Sequence, residues 1–210
     1  MRHLPIFLLL FAVTAWSVGA KTIPVPGQGA SLTIPDDWTV TKRPNVVLFA
    51  AAPGETAALG ILVSANGDQR QADTVDFIRG MAQEITDKAK ANGTAITFID
   101  AGPKVLNGVP AGFVQSQQTY PDPDHQVIYS RTYTLAANGK FYRLSLDTRD
   151  PRQDPALVEI AASFRFAPPP QVPGPNDFIV HRIGELAGIA LILGALVFFF
   201  RKKIREYLGL

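Results

Sequence analysis

The residue best placed to do chemistry in this 210-residue sequence is Arg131, because it falls where an apolar side chain is expected. Asn138-Gly139 reads as a two-residue hairpin turn, since Asn and Gly tolerate the positive φ angles that such turns need. With Ala137 facing Lys140, Tyr133 falls opposite Leu144, Leu135 opposite Tyr142 and Arg131 opposite Leu146. Period-two alternation then puts Val127, Tyr129, Tyr133, Leu135, Tyr142, Leu144 and Leu146 on one face, with Arg131 among them. The other face holds Ser130, Thr132, Thr134, Arg143, Ser145 and Asp147. A buried charge without a partner is costly, so Arg131 has two readings. Either a helix carboxylate such as Glu159 or Glu84 pairs with it, Glu159 being favoured because the second helix should cover the apolar face. Or Arg131 recognises an anion in a groove lined by Tyr129, Tyr133 and Tyr142.

Other chemistry finds few residues. There is no cysteine, which excludes a disulfide framework, a thiol nucleophile and a thiolate metal site. Outside the terminal segments the one histidine is His125, in the loop Tyr120-Pro121-Asp122-Pro123-Asp124-His125. Asp122, Asp124 and His125 have the atoms to hold a divalent cation, but three ligands within four residues of a proline-stiffened turn converge poorly. They read as turn formers with solvated charges. No serine stands in a Gly-x-Ser-x-Gly elbow, and Gly27-Gln28-Gly29 lacks the third glycine and the preceding strand of a dinucleotide site. We therefore expect no catalytic residue, no metal and no cofactor, and read the chain as a non-enzyme.

The elements that position Arg131 follow from period and punctuation. Strands are expected at Leu32/Ile34, Val46 to Ala51, Leu59 to Ser64, Ala95 to Ile99, Lys104 to Leu106, Val109 to Tyr120, Val127 to Ala137 and Lys140 to Asp147, with Asn-Gly pairs at 66, 92, 107 and 138. Between the third and fourth, Phe77, Ile78, Met81, Ala82, Ile85 and Ala89 have helical spacing, with Asp73 as cap and Asn92-Gly93 as stop. Asn92-Gly93-Thr94 is a formal glycosylation sequon that the same stop accounts for. Asp154-Pro155 opens a second helix, with Asp154 as its cap and proline at its first position, whose inner side is Leu157, Ile160, Ala161 and Phe164. Strands, helix, strands, helix make an α+β fold: an antiparallel β-sheet with flanking helices.

The two ends differ from this middle. Residues 1–20, with Met1-Arg2-His3, an apolar run from Leu4 to Val18 and small residues at Val18 and Ala20, read as a signal peptide whose rival is a retained anchor. Residues 21–167 form the domain, 168–177 a Pro-rich linker, 178–200 one C-terminal transmembrane helix and 201–210 a basic tail. From Ile183 to Phe200 a helix would span about 27 Å, close to the hydrocarbon core of a bilayer. Arg201, Lys202, Lys203 and Arg205 put the tail in the cytoplasm and the domain outside, in a bacterial periplasmic setting at the inner membrane. Gly184 and Gly188 form a GxxxG that would permit self-association of spans. The net charge of +2 comes from these ends, and the near-neutral middle excludes a nucleic-acid binder.

Ser31-Leu32-Thr33-Ile34-Pro35-Asp36-Asp37-Trp38, the long helix after the third strand, the meander through Asn138-Gly139 and the closing helix ending in Ala162-Ser163-Phe164-Arg165-Phe166 resemble the PsbP and DcrB-like family over most of residues 29–166. The resemblance implies a small non-catalytic α/β/α sandwich that binds or stabilises partners, and it brings no catalytic residues. A transmembrane tail departs from the usual soluble or lipid-anchored members. The expected function is a membrane-anchored accessory module that docks a protein partner or envelope component. The alternative is a small-molecule binding or sensor domain coupled to a membrane complex through its span.

Overall fold

The computed structural model describes residues 19–65, 72–121 and 126–172. The first 18 residues, the Asn66-Gly67 turn, Asp122, Asp124 and His125, and everything from 173 onward lie outside the described residues, including the expected span at 178–200 with Gly184 and Gly188.

In chain order the elements are β1 (Ala20–Val25), β2 (Ala30–Pro35), β3 (Thr39–Arg43), β4 (Val46–Ala51), β5 (Ala57–Ala65), α1 (Val75–Ala91), β6 (Ala95–Leu106), β7 (Val109–Thr119), β8 (Val127–Ala137), β9 (Lys140–Thr148), α2 (Asp154–Ser163) and β10 (Arg165–Phe166). Among the described residues the strands form two sheets, one ordered β1-β2-β10 and the other β3-β4-β5-β9-β8-β7-β6, and every pairing is antiparallel. The chain leaves β5 in the middle of the large sheet, crosses one face as α1 and lands on the far edge as β6. It then returns by hairpins until β9 pairs with β5.

The hairpin register is the one the turn residues dictate. Asn138 and Gly139 have φ of 51° and 70°, and Tyr133 faces Leu144, Leu135 faces Tyr142 and Arg131 faces Leu146. Asn107-Gly108, with φ of 47° and 81°, makes the same kind of turn between β6 and β7. Three features differ from the expected elements. β1 and β3 are additional strands: the alternation of β1 rests on Ile23 and Val25 alone, and all five residues of β3 are exposed. β6 is one strand where the sequence suggests two. A bulge between Phe98 and Asp100 and Pro103 break its apolar pattern, and an edge strand tolerates both.

The helix ends also shifted. Thr74 rather than Asp73 caps α1, its hydroxyl accepting the Phe77 N–H at 3.3 Å. The stop is as expected: Asn92 is the C-cap and Gly93 follows at φ 67°. α2 begins at Asp154 after a short turn, Pro151–Gln153, which Asp150 caps by accepting the Arg152 N–H at 3.0 Å. Asp154 is thus spared capping, and its carboxylate is used elsewhere.

The large sheet separates two unlike layers. On one face, α2 and the small sheet close over the main core, with Leu32, Ile34, Leu59, Ile61, Leu135, Leu144, Leu146, Leu157 and Phe164 almost fully buried. Each such side chain contributes about 1.5–3 kcal/mol by leaving water. Ser163 and Asn107 lock this layer: Ser163 Oγ accepts the Thr33 N–H at 2.8 Å, and Asn107 Nδ2 donates to the Ala162 and Phe164 carbonyls, both at 2.6 Å. On the other face, α1 packs through Ile78 and Met81 onto Val114. Gly112 sets that approach, since a Cβ there would lie 2.3 Å from the Ala72 carbonyl oxygen. The expected linker is pinned at its start: the Asn138 N–H donates to the Gln171 carbonyl at 2.8 Å and the Gln171 N–H to Asn138 Oδ1 at 2.9 Å.

Candidate functional site

Arg131 is engaged, and by neither of the carboxylates the sequence offered. Its Nε and Nη2 both donate to the Asp154 carboxylate, with the two side chains 16% and 27% exposed. Its guanidinium also lies 5.8 Å from the centre of the Phe113 ring. Glu159 is exposed on the outer side of α2. The helical period explains the difference: at 100° per residue, Glu159 is about 200° round from the buried Leu157, whereas Asp154 is about 60° from it. Glu84 belongs to the opposite face of the sheet, where it meets Arg143.

Of the expected tyrosines, Tyr133 reaches Arg131 and helps, after Asp154, to push its guanidinium up. Tyr133 is buried against Phe113, ring centres 4.8 Å apart, and Tyr142 is buried against Phe166 at 4.9 Å and Phe164 at 6.3 Å. Burial pushes the Tyr142 phenol up. Tyr129 is partly covered, opposite Thr148. Two of the three rings are therefore core side chains, and an anion reaching Arg131 would have to displace Asp154.

The face the alternation marked as polar forms a cleft instead. It has a volume of about 280 Å³, and α1, β5, β7, β8 and β9 all contribute to its walls. Its outer wall is a charged cluster. Glu84 accepts from Arg143 through both carboxylate oxygens at 2.8 Å and from Lys88 at 2.7 Å. The Arg143 hydrogen bond is the chief reason the Glu84 carboxyl sits at about 2, and the same contact pushes the Arg143 guanidinium up.

Its floor is Asp147. Ser130 Oγ donates to Asp147 Oδ1 at 2.6 Å, and Gln118 Nε2 lies 3.4 Å from the same hydroxyl. Burial nevertheless pushes the Asp147 carboxyl up, the Ser130 bond offsetting only part of that. Tyr120 shares the cleft, its phenol raised first by burial and then by the Asp147 charge. Thr94, 6% exposed, lines it too, and its Oγ1 has no hydrogen-bond partner among the described residues. The sequence carried a signal for this site: a strand reading Arg143, Ser145, Asp147 on one face has too much polarity to lie under a helix unless something polar fills the gap.

A third feature is the edge strand β6. Phe98, Ile99 and Val105 are 40%, 53% and 67% exposed, and almost the whole twelve-residue strand faces solvent. Pro103, the bulge and the Lys104–Asp100 ion pair at 3.4 Å guard its open edge against pairing with another strand.

No protein-family model matches the chain, and no curated protein does. Solved structures do. The cyanobacterial PsbP protein (CyanoP) of Synechocystis sp. PCC 6803 is similar with a TM-score of 0.55 and 15% identity over 73% of this chain and 95% of that one. A point mutant of the protein Mog1 is similar with a TM-score of 0.50 and 10% identity over 70% and 96%. The Ran-binding protein Mog1p of Saccharomyces cerevisiae follows at 0.49 and 8% identity over 71% and 96%. The domain thus has a PsbP-like fold, a mostly antiparallel β-sheet with a few helices, and at these identities the likeness concerns fold.

Proposed function

We propose that this chain is a non-catalytic accessory module of a bacterial envelope, held in the cytoplasmic membrane by residues 178–200 with its domain outside, and that it docks a protein partner or envelope component. The membrane part rests on the sequence: an apolar segment of spanning length that ends on Arg201-Lys202-Lys203. The docking part rests on one observation in the domain, the exposed apolar side chains of β6. Their edge is guarded against strand addition, so the partner meets side chains rather than extending the sheet.

Purification of the full chain from native membranes tests both parts. The wild type should be recovered in the membrane fraction with a partner, and Phe98→Ser with Val105→Ser should stay in the membrane but lose the partner by about tenfold or more. A soluble wild-type chain would remove the anchor, and equal partner recovery from the two forms would remove the docking role of β6. The sensor reading has support from a different place, the cleft over Asp147, which is open without displacing any ion pair.

A further inference from the structure

We propose that the cleft between α1 and the polar face of the large sheet binds a small organic cation carrying a primary ammonium group, with Asp147 as its counter-charge. Four observations converge on that chemistry. First, Asp147 at the floor is held by a single neutral donor, Ser130, and makes no ion pair among the described residues. A partly covered carboxylate in that setting is completed by a cation with several N–H groups. Second, the cations of the cleft cannot supply it, because Arg143 and Lys88 are both committed to Glu84.

Third, Thr94 places an unpartnered hydroxyl in the same space while 6% exposed. A buried hydroxyl left without a partner costs about 1–3 kcal/mol, and an ammonium hydrogen bonded to it removes that cost. Fourth, the C-terminal end of α1, at Ala89 and Asn92, lines the cleft, and the partial negative charge of a helix C-terminus favours a cation. The Tyr120 ring adds a face on which a cation can rest. Divalent metals fit less well. Among the described residues Asp147 is the one carboxylate in the lining besides Glu84, which is already paired with Arg143 and Lys88, and hard cations need more oxygen charge than one carboxylate gives. The volume, about 280 Å³, limits the occupant to a small molecule. The inference does not rest on partner docking, since β6 takes no part in the cleft.

The test uses the purified full chain in detergent, with butylammonium as probe and 1-butanol and butyrate as neutral and anionic controls of similar shape, each followed by ligand-observed NMR. Butylammonium should bind saturably below about 10 mM, and both controls should bind at least about tenfold more weakly. Asp147→Asn keeps the shape and the Ser130 bond while removing the charge, so it should fold normally and lose butylammonium binding by about tenfold or more. Thr94→Val, which breaks no hydrogen bond, should weaken binding by a smaller factor.

The pH dependence isolates the carboxylate. Among the described residues, the other charged or titratable groups facing the cleft are Glu84 and Lys88 on α1, Tyr120 after β7 and Arg143 on β9. Wild-type affinity should rise with pH as Asp147 loses its proton, while Asp147→Asn stays flat over the same range. Binding of butylammonium unchanged in Asp147→Asn, equal binding of 1-butanol to the wild type, or no saturable binding at all would each overturn the proposal.

Discussion

The two faces of the seven-stranded sheet are built from the same strands yet obey different rules. Under α2 and the small sheet, every inward position of β8 and β9 is apolar or aromatic save Arg131, Lys140 and Thr148, and Arg131 is matched by a carboxylate at the start of α2. Under α1, the same two strands turn Ser130, Thr132, Thr134, Arg143, Ser145 and Asp147 inward beside Ile128, Ala136 and Phe141, and the helix makes a limited apolar contact, which includes the Phe77–Phe141 stack, next to an open polar cleft. The first face is closed because its layer buries enough apolar area to expel water. The second stays open because serines, threonines and an aspartate gain little from being covered. The lesson is a division of labour: one face holds the fold, and the other is free to recognise something.

That contrast can be broken most sharply at Phe164, which is 1% exposed and packs on Tyr142 and Phe166. Phe164→Ala should cost about 3–5 kcal/mol in urea unfolding, since its cavity lies where two strands, a helix end and the small sheet meet. A loss below 1 kcal/mol, on the order of a surface substitution, would mean that the apolar layer does not carry the fold.

Asp154→Asn probes the one ion pair on the closed face and should cost about 1–3 kcal/mol, because it leaves the Arg131 guanidinium mostly covered and without its counter-charge. The same substitution should leave butylammonium binding in the cleft unchanged, which tests whether the two faces act independently.

The smallest expected effect is on the open face. The Glu84 side chain is 41% exposed, so water screens its pair with Arg143, and Glu84→Gln should cost no more than about 1 kcal/mol at neutral pH. Its sign with pH is fixed. The folded carboxyl sits at about 2 against an ordinary 4.5, so its contribution is complete above 4.5 and fades as pH falls toward 2. Urea midpoints of wild type and variant should therefore converge over that interval, and curves that stay parallel would show that the ion pair adds nothing.

How far these features could be read in advance varied with how local they are. The β8–β9 register was legible because Asn138-Gly139 leaves the backbone almost no other turn, and that register alone sorted both faces correctly. Leu157, Ile160 and Ala161 were legible as the inner side of α2 because each is apolar and the helical period is fixed, whereas Phe164, expected with them, is buried from the extended cap position just past the helix end. The partner of Arg131 was half legible. A carboxylate was required, and the period of α2 favours Asp154 over Glu159. A capping role for Asp154 hid it, and the structure gives the preceding cap to Asp150. β3 was not legible because all five of its side chains face water, and β1 was not because its alternation is carried by only Ile23 and Val25.

The sequence by itself determined the pattern along each strand and helix, the turn at each Asn-Gly pair that the structure describes, and the separation of a globular middle from an apolar, basic-tailed end. These are consequences of backbone sterics and of a period that each segment carries within itself. Only the tertiary structure decided which helix covers which face, that β9 returns to pair with β5, and that α1 comes to rest over β6 and β7 so that Asp147, Ser130, Tyr120 and Thr94 share one cleft. Those outcomes depend on contacts between residues far apart in the chain, such as the Gly112 approach to Ala72 and the reach of Glu84 to Arg143, and no local period encodes a distance of that kind.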